Sequence, residues 1–476
     1  GKDVPFLLQM TPSVVATLDA GTGIGYTSIH VRGTDPTRVN ITTNGIPLND
    51  AESNLVYWSN TPDFISSVEN IQIQRGAGTS TNGAGAFGAS INLQTSSLPL
   101  AQSTGVDFSG GSYGTHKETL KYNTGLLNNH WAFNMRLSNL GSDGYIDRAS
   151  AKMNSYFFQG GYYANNSSIK FITFNGTEQT YHAWDYSTRD NWEKYGRTYN
   201  PCGKYTDDKG NKAFYKNQID YYHQQHYQLL WNQIFTPELN LNVALHYTHG
   251  FGYYEQYKED QKLYKYLLTS ALGNTSDLVR QKNMQNDFYG TVMSLNYKKN
   301  RLETTVGGGW NKYDGDHIGN VLWVRQFNGS INPNQEYYNN NAQKSDANIY
   351  GKANYNLMGG LNAYIDLQYR HVKYEMTGMS AAFDDNHSQI PFNINKTFDF
   401  FNPKAGLYYM INKNNEVYAS FAIAQKEPTR NDYEDYGSAQ PKSERMSDWE
   451  LGYNYKSRFF NAGINLYYMK YKNQFV

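Results

Sequence analysis

Residues 31–95 read VRGTDPTRVNITTNGIPLNDAESNLVYWSNTPDFISSVENIQIQRGAGTSTNGAGAFGASINLQT, and the rest of the chain is organised around this stretch. Two alternating runs, residues 38–43 and 68–75, predict short strands that feed directly into glycine-rich turns. Gly76, Gly78, Gly83, Gly85 and Gly88 follow closely on one another. Glycine at that density implies tight turns and close backbone packing, because it takes positive φ without strain. Residues 89–95 alternate again and predict a third strand. The run from Gly83 to Gly88 also fits G-x-G-x-x-G, but a dinucleotide site needs a helix to begin at the third glycine. Here a strand follows, then Pro99, so cofactor binding is not expected and no cofactor is assigned.

The chain has 476 residues, with 42 basic and 42 acidic side chains, so there is no basic excess to point to nucleic acid. Tyrosine is unusually common at 43 residues. Mean hydropathy is -0.72, and no apolar run is long enough for a membrane helix. Strands of a membrane barrel are apolar on one face only, so they pass such a test unseen. Cys202 is the single cysteine, which excludes an intrachain disulfide and any cysteine-rich zinc site. The chain starts at Gly1 without a methionine or signal peptide and stops at Val476 inside a strand-like pattern, so it is read as part of a longer protein.

From residue 104 onward the pattern is period two. Leu241, Val243, Leu245 and Tyr247 alternate with Asn242, Ala244 and His246. Leu361, Ala363, Ile365, Leu367 and Tyr369 oppose Asn362, Tyr364, Asp366, Gln368 and Arg370. Trp131, Phe133, Met135 and Leu137 oppose Asn134, Arg136 and Ser138, and Trp449, Leu451, Tyr453 and Tyr455 oppose Glu450, Asn454 and Lys456. One apolar and one wet face is what lipid outside and a polar lumen inside require. About 15 strands, each of about 10 to 15 residues, are expected. Short turns at 127–129, 165–167, 237–238, 299–300, 358–360, 413–415 and 456–458 alternate with long loops at 179–221, 253–283, 314–344, 377–397 and 427–444. That alternation is the outer-membrane barrel arrangement, with turns on the periplasmic side and loops outside. Trp131, Tyr247, Tyr297, Tyr369, Tyr409, Tyr455 and Tyr468 sit where interface girdles belong.

The opening stretch resembles the plug domain of TonB-dependent outer-membrane receptors. The resemblance rests on Val31-Arg32-Gly33, Asn44-Gly45-Ile46-Pro47, Ile71-Gln72-Ile73-Gln74-Arg75-Gly76 and Gly85-Ala86-Phe87-Gly88-Ala89-Ser90-Ile91-Asn92; Ala77 replaces the usual proline. It implies an all-β antiparallel membrane barrel of about 22 strands, about 15 of them present, around a small α/β plug. The plug is expected at 1–98, a linker at 99–103 and the barrel at 104–476. It further implies a multi-pass outer-membrane transporter rather than an enzyme, driven by TonB–ExbB–ExbD and surrounded by lipid. The ligand is expected to be an extracellular iron–siderophore or other iron complex, or cobalamin, with SusC-like glycan import as the rival. A barrel enzyme and a passive porin fit the plug-like segment less well.

The plug turns are assigned to Gly33, Gly76, Gly83, Gly85 and Gly88. Arg32 and Arg75 match the two arginines that family plugs turn toward the wall, and parity puts Glu450, Asp366 and Glu303 on the lumen side. The expected latch pairs Arg75 with Glu450 and brings Arg32 into the same cluster. Among the loops, 180–222 concentrates Trp184, Tyr186, Arg189, Trp192 and Arg197, which suit either an anionic or aromatic chelate or the packing of the loop itself. His223 with His226, and His246 with His249, are three apart on strands and point to opposite faces, so neither pair can share a metal. The acidic residues Asp207, Asp208 and Glu255–Asp260 are expected to be solvated loop charge, and no metal site is assigned.

Overall fold

The computed structural model describes all residues except 1, 84, 330, 332–334, 437–439 and 475–476. Ala84, within the glycine run, and the chain end Phe475-Val476 therefore lie outside the described residues. The plug carries helix α1 (Val4–Leu8) and strands β1 (Val14–Leu18), β2 (Thr27–Val31), β3 (Val39–Thr43), β4 (Ile46–Pro47), β5 (Val68–Arg75) and β6 (Ala89–Thr95). The three strands expected from residues 31–95 are β3, β5 and β6. They form a mixed sheet in the order β4-β3-β6-β5, with β3 parallel to β6 and β5 antiparallel to it. Ile29, Val31, Ile41, Ile91, Leu93, Trp58 and Phe64 form its core, which continues into Phe157, Ile172 and Phe174 of the wall. Burying such side chains contributes about 1.5–3 kcal/mol each, so this continuity seats the plug.

Among the described residues fifteen antiparallel strands make the wall: β7 (Gln102–Gly110), β8 (His116–Thr124), β9 (Trp131–Ser142), β10 (Ala151–Tyr163), β11 (Ser167–Tyr181), then, after a small hairpin of β12 (Lys204–Thr206) and β13 (Lys212–Phe214), β14 (Ile219–Thr236), β15 (Leu239–Lys262), β16 (Thr275–Lys299), β17 (Leu302–Val324), β18 (Gln335–Met358), β19 (Leu361–Phe383), β20 (Gln389–Asn412), β21 (Asn415–Lys426), β22 (Glu444–Lys456) and β23 (Asn461–Lys472). Each pairs with its neighbour in sequence, and β7 and β23 are the two edges. The expected faces hold. Leu367 and Tyr369 point outward, while Asp366, Gln368 and Arg370 between and beside them are buried, Asp366 against Ser80 of the plug. Tyr227 and Tyr247 stack on the outer face as part of a girdle.

Strand lengths differ from expectation. β16 is 25 residues long, and β15 to β20 run well into the stretches expected as loops at 253–283, 314–344 and 377–397. The apolar alternation ends where lipid ends, but backbone pairing continues above it, so an apolar pattern marks the membrane band rather than the strand. The loops at 179–221 and 427–444 remain, and they carry the short helices α2 (Arg189–Tyr195) and α3 (Arg430–Tyr436).

Candidate functional site

The plug apex is the segment after β4. Asp50 accepts from the backbone N–H groups of Glu52 (3.2 Å) and Ser53 (2.8 Å), a local turn that aims the Glu52 side chain outward at the wall. Its carboxylate accepts hydrogen bonds from Tyr313 (2.7 Å), His317 (2.6 Å), Arg430 (3.0 Å) and Tyr374 (3.2 Å). Burial alone would raise the Glu52 pKa, but His317, Arg430 and the Tyr313 hydroxyl outweigh it and hold it at about 2. Lys344 donates to the Ala51 carbonyl at 2.6 Å and pairs with Glu427, which also meets Arg370 at 2.9 Å. The apex is thus tied by charge to β17, β18, β19 and α3.

Lower on the plug, Arg32 reaches the wall acid that Arg75 was expected to meet. It sits at φ 54° ahead of Gly33 at φ 71°, a turn that carries the guanidinium to the wall. There it meets Glu450 at 2.6 Å and Asn465 at 2.9 Å, and lies 4.0 Å over the Tyr467 ring. Arg75 does not join it. As the last residue of β5, an edge strand of the plug sheet, it turns back and donates to the Pro12 carbonyl at 3.2 Å. Among the described residues no carboxylate pairs with Arg75, so the Arg75–Glu450 expectation is corrected to Arg32–Glu450. The residue after Arg75 is what matters there. Gly76 has φ 76°, and a Cβ on it would collide with the carboxylates of Asp448 and Glu450. Beside it the Ala77 N–H donates to Asp448 at 3.0 Å. Gly83 and Gly85 lie next to Asn40, and Gly88 next to Arg38, whose guanidinium meets Glu444 at 3.0 Å. Asp366 accepts from the Ser80 N–H at 2.7 Å. Glu303 stays away from the plug and pairs with Lys298 at 3.6 Å.

The aromatic loop divides. Trp184 stacks on His182 at 3.8 Å and sets its edge against Tyr26 of the plug and Tyr254 of β15, so it packs the loop onto both bodies. Tyr186 is exposed but donates to Asp19 of the plug at 3.2 Å. Arg189, Trp192 and Arg197 belong to or follow the exposed helix α2. There Arg189 pairs with Glu193, and Arg197 lies 5.0 Å from the Trp192 ring. Of the five expected residues, Trp184 and Tyr186 thus contact the plug, and Arg189, Trp192 and Arg197 lie on or just after α2. Glu255 is buried and accepts from Tyr215 at 2.5 Å, which corrects its reading as solvated charge. His226 and His246 face inward while His223 and His249 face outward, and no metal-binding group of three appears among the described residues.

Above the apex the inner wall carries cations framed by tyrosines. Arg280 donates to Gln256 (2.8 Å) and to the Tyr266 hydroxyl (3.3 Å). Lys282 lies 5.6 Å from the Tyr254 ring and 5.8 Å from that of Tyr338. Lys258 is on the same face of β15 as Tyr254, and Arg430 reaches this region from α3 while holding Glu52. Sequence reading missed this group because 253–283 was expected to be a loop. Extending the alternation of β16 upward from Ser294 puts Lys282 and Arg280 on the lumen face.

The TonB-dependent receptor plug domain matches residues 1–90, and the TonB-dependent receptor-like β-barrel matches residues 161–476. No curated protein matches. Among solved structures, the ferric citrate transporter FecA in its unliganded form superimposes with a TM-score of 0.72 at 14% identity, covering 100% of this chain and 68% of that one. The ferric-catecholate import receptor Fiu from E. coli K12 gives 0.71 at 16%, covering 98% and 71%. The copper transporter OprC gives 0.73 at 12%, covering 98% and 68%. At such identities these likenesses show the fold. The family matches reach over the plug and most of the wall, and the chain belongs to the TonB-dependent receptors of the outer membrane.

Proposed function

We propose that this receptor imports an anionic metal chelate, an iron–siderophore or similar iron complex in first place, using force delivered through TonB and its ExbB–ExbD partners. The observation that carries this reading is the lumen wall of Lys258, Arg280 and Lys282 framed by Tyr254, Tyr266 and Tyr338 directly above the plug apex. Guanidinium and ammonium groups beside aromatic faces suit a negatively charged, partly aromatic complex, and a neutral glycan would leave these cations unanswered. The names of the structural relatives, a ferric citrate transporter and a ferric-catecholate import receptor, support the same class. Arg430 connects recognition to the plug, because it faces that wall and holds Glu52. The chain's own residues bind and orient; they make no covalent change.

The test is uptake by cells carrying or lacking the gene, with labelled ferric citrate, a ferric catecholate, cobalamin and an oligosaccharide. Loss of uptake of at least one iron complex is expected. Arg280→Ala with Lys282→Ala should weaken binding of that complex at least tenfold, since each charge-assisted contact is worth about 1.5–3 kcal/mol. Loss of oligosaccharide uptake alone would overturn the ligand class.

A further inference from the structure

The inward face of β16 changes character from top to bottom. Arg280 and Lys282 belong to the cation-lined wall, Asn286 and Phe288 follow beside the plug apex, and Val292, Ser294 and Asn296 come last. Those last three line a cavity of about 660 Å³ between the plug and wall strands β11 and β14 to β18. Asparagines from both bodies carpet it, Asn44, Asn82 and Asn92 from the plug facing Asn232, Asn242 and Asn296 from the wall. Of the described residues that line it, only Lys170 is charged. On the wall side the amides form a ladder. Asn232 donates to Asn242 at 2.7 Å, Asn296 to Asn240 at 3.0 Å, and Thr305 to Asn296 at 2.9 Å.

This cavity has a ceiling. There β16 carries Gly290, where a Cβ would strike the Asn311 side chain. Across the space so left, His246 of β15 bonds through Nε2 to Oδ1 of Asn311 on β17 at 2.7 Å. Both residues are buried, and the Phe288 ring covers His246 with centroids 4.9 Å apart. The result is a bar two strands wide. Between it and the apex lie cavities of only about 40 and 90 Å³, and Pro47 of the plug lines these and the large one alike. Pockets that hold small molecules run to about 300–1,000 Å³, so the lower cavity has room for a chelate and the upper two do not.

The plug is also tied least on this side. Ion pairs join it to β8, β9 and β22, and the Glu52 network joins it to β17, β19 and α3. Among the described residues no hydrogen bond or ion pair joins it to β15 or β16. A pull on the plug therefore parts this seam with the fewest bonds to break. A carpet of amides offers hydrogen bonds to a hydrated solute and almost no fixed charge to hold it. That suits passage, which needs binding good enough to admit a solute and weak enough to release it.

We propose that the amide-lined cleft along β15 to β17 is a second, weaker site for the imported chelate on its way down, closed at rest by the His246–Asn311 bar. The part about the chelate rests on the ligand class proposed above; the position of the passage does not.

The first arm uses cells carrying the full-length receptor with Asn242→Cys, labelled after folding with a biotin maleimide. Asn242 is exposed to the cleft and the native Cys202 is buried, so the label goes to the cleft. Relative to the unlabelled variant, labelling should leave surface binding of labelled ferric catecholate or ferric citrate intact and slow its import about tenfold, because the bulky group fills the narrow path. Equal import with and without label would overturn the passage, and so would loss of surface binding together with import. The second arm needs no chelate. In planar bilayers the purified full-length receptor with Asn311→Ala should conduct small ions well above wild type, and labelling Asn242→Cys in that background should suppress the current. Wild-type conductance in Asn311→Ala, or a raised current that ignores the label, would overturn the bar and the cleft. If wild type binds neither iron complex, the ligand class fails and this second arm still decides the passage.

Discussion

Glu52→Gln tests how the plug apex is held. The substitution keeps shape but removes the charge that Arg430 and His317 answer, and it turns one accepting oxygen into an NH2 that cannot accept. Glu52 is 3% exposed at its side chain, so solvent screening does little to its interactions. A carboxyl held at about 2 instead of the ordinary 4.5 has its ionised form favoured in the folded state by about 3 kcal/mol, at 1.36 kcal/mol per pH unit. The independent expectation for breaking a buried pair, about 3–5 kcal/mol, agrees in size. The sign follows from a depressed acid. This stability is fully present above pH 4.5 and is lost as pH falls toward about 2. At neutral pH the variant should therefore lose about a hundredfold in amide-exchange protection across residues 47–61, and cells carrying it should admit large antibiotics more readily. Acidifying wild type from pH 5 to pH 2 should reproduce part of that loss, while the variant should respond less. Protection within threefold of wild type at pH 7 would refute the reasoning, because the network would then be no more than a solvated surface pair.

The same logic separates the two plug arginines. In a double-mutant cycle Arg32→Ala and Glu450→Ala should couple by about 1–3 kcal/mol in plug release, whereas Arg75→Ala with Glu450→Ala should be additive; coupling at Arg75 would return the latch to the position expected from sequence. Gly76→Ala should loosen the plug although it adds only a methyl, because φ 76° and the Asp448 and Glu450 carboxylates leave it no room. Normal antibiotic exclusion by that variant would show that the seam can yield.

The sequence by itself determined the architecture. Alternating faces, the spacing of turns and the glycine-rich stretch are local properties, and each follows from backbone geometry that no distant contact needs to supply. β3, β5 and β6 appeared where the pattern of 31–95 put them, and Glu450 faced the lumen because Trp449 and Leu451 faced lipid. The pattern ran out where lipid ends. Beyond the membrane band a strand is held by pairing alone, so Arg280 and Lys282 were read as loop and the cation-lined wall stayed hidden. Pairing across the plug–barrel seam was likewise a tertiary decision. Arg32 and Arg75 look alike in sequence, each followed by glycine, yet one reaches Glu450 and the other turns back to Pro12 because β5 lies at the edge of its sheet. Glu52 carries no signal in its own neighbourhood. Its four partners lie between 261 and 378 residues away, and only the folding of plug into barrel brings them to one carboxylate.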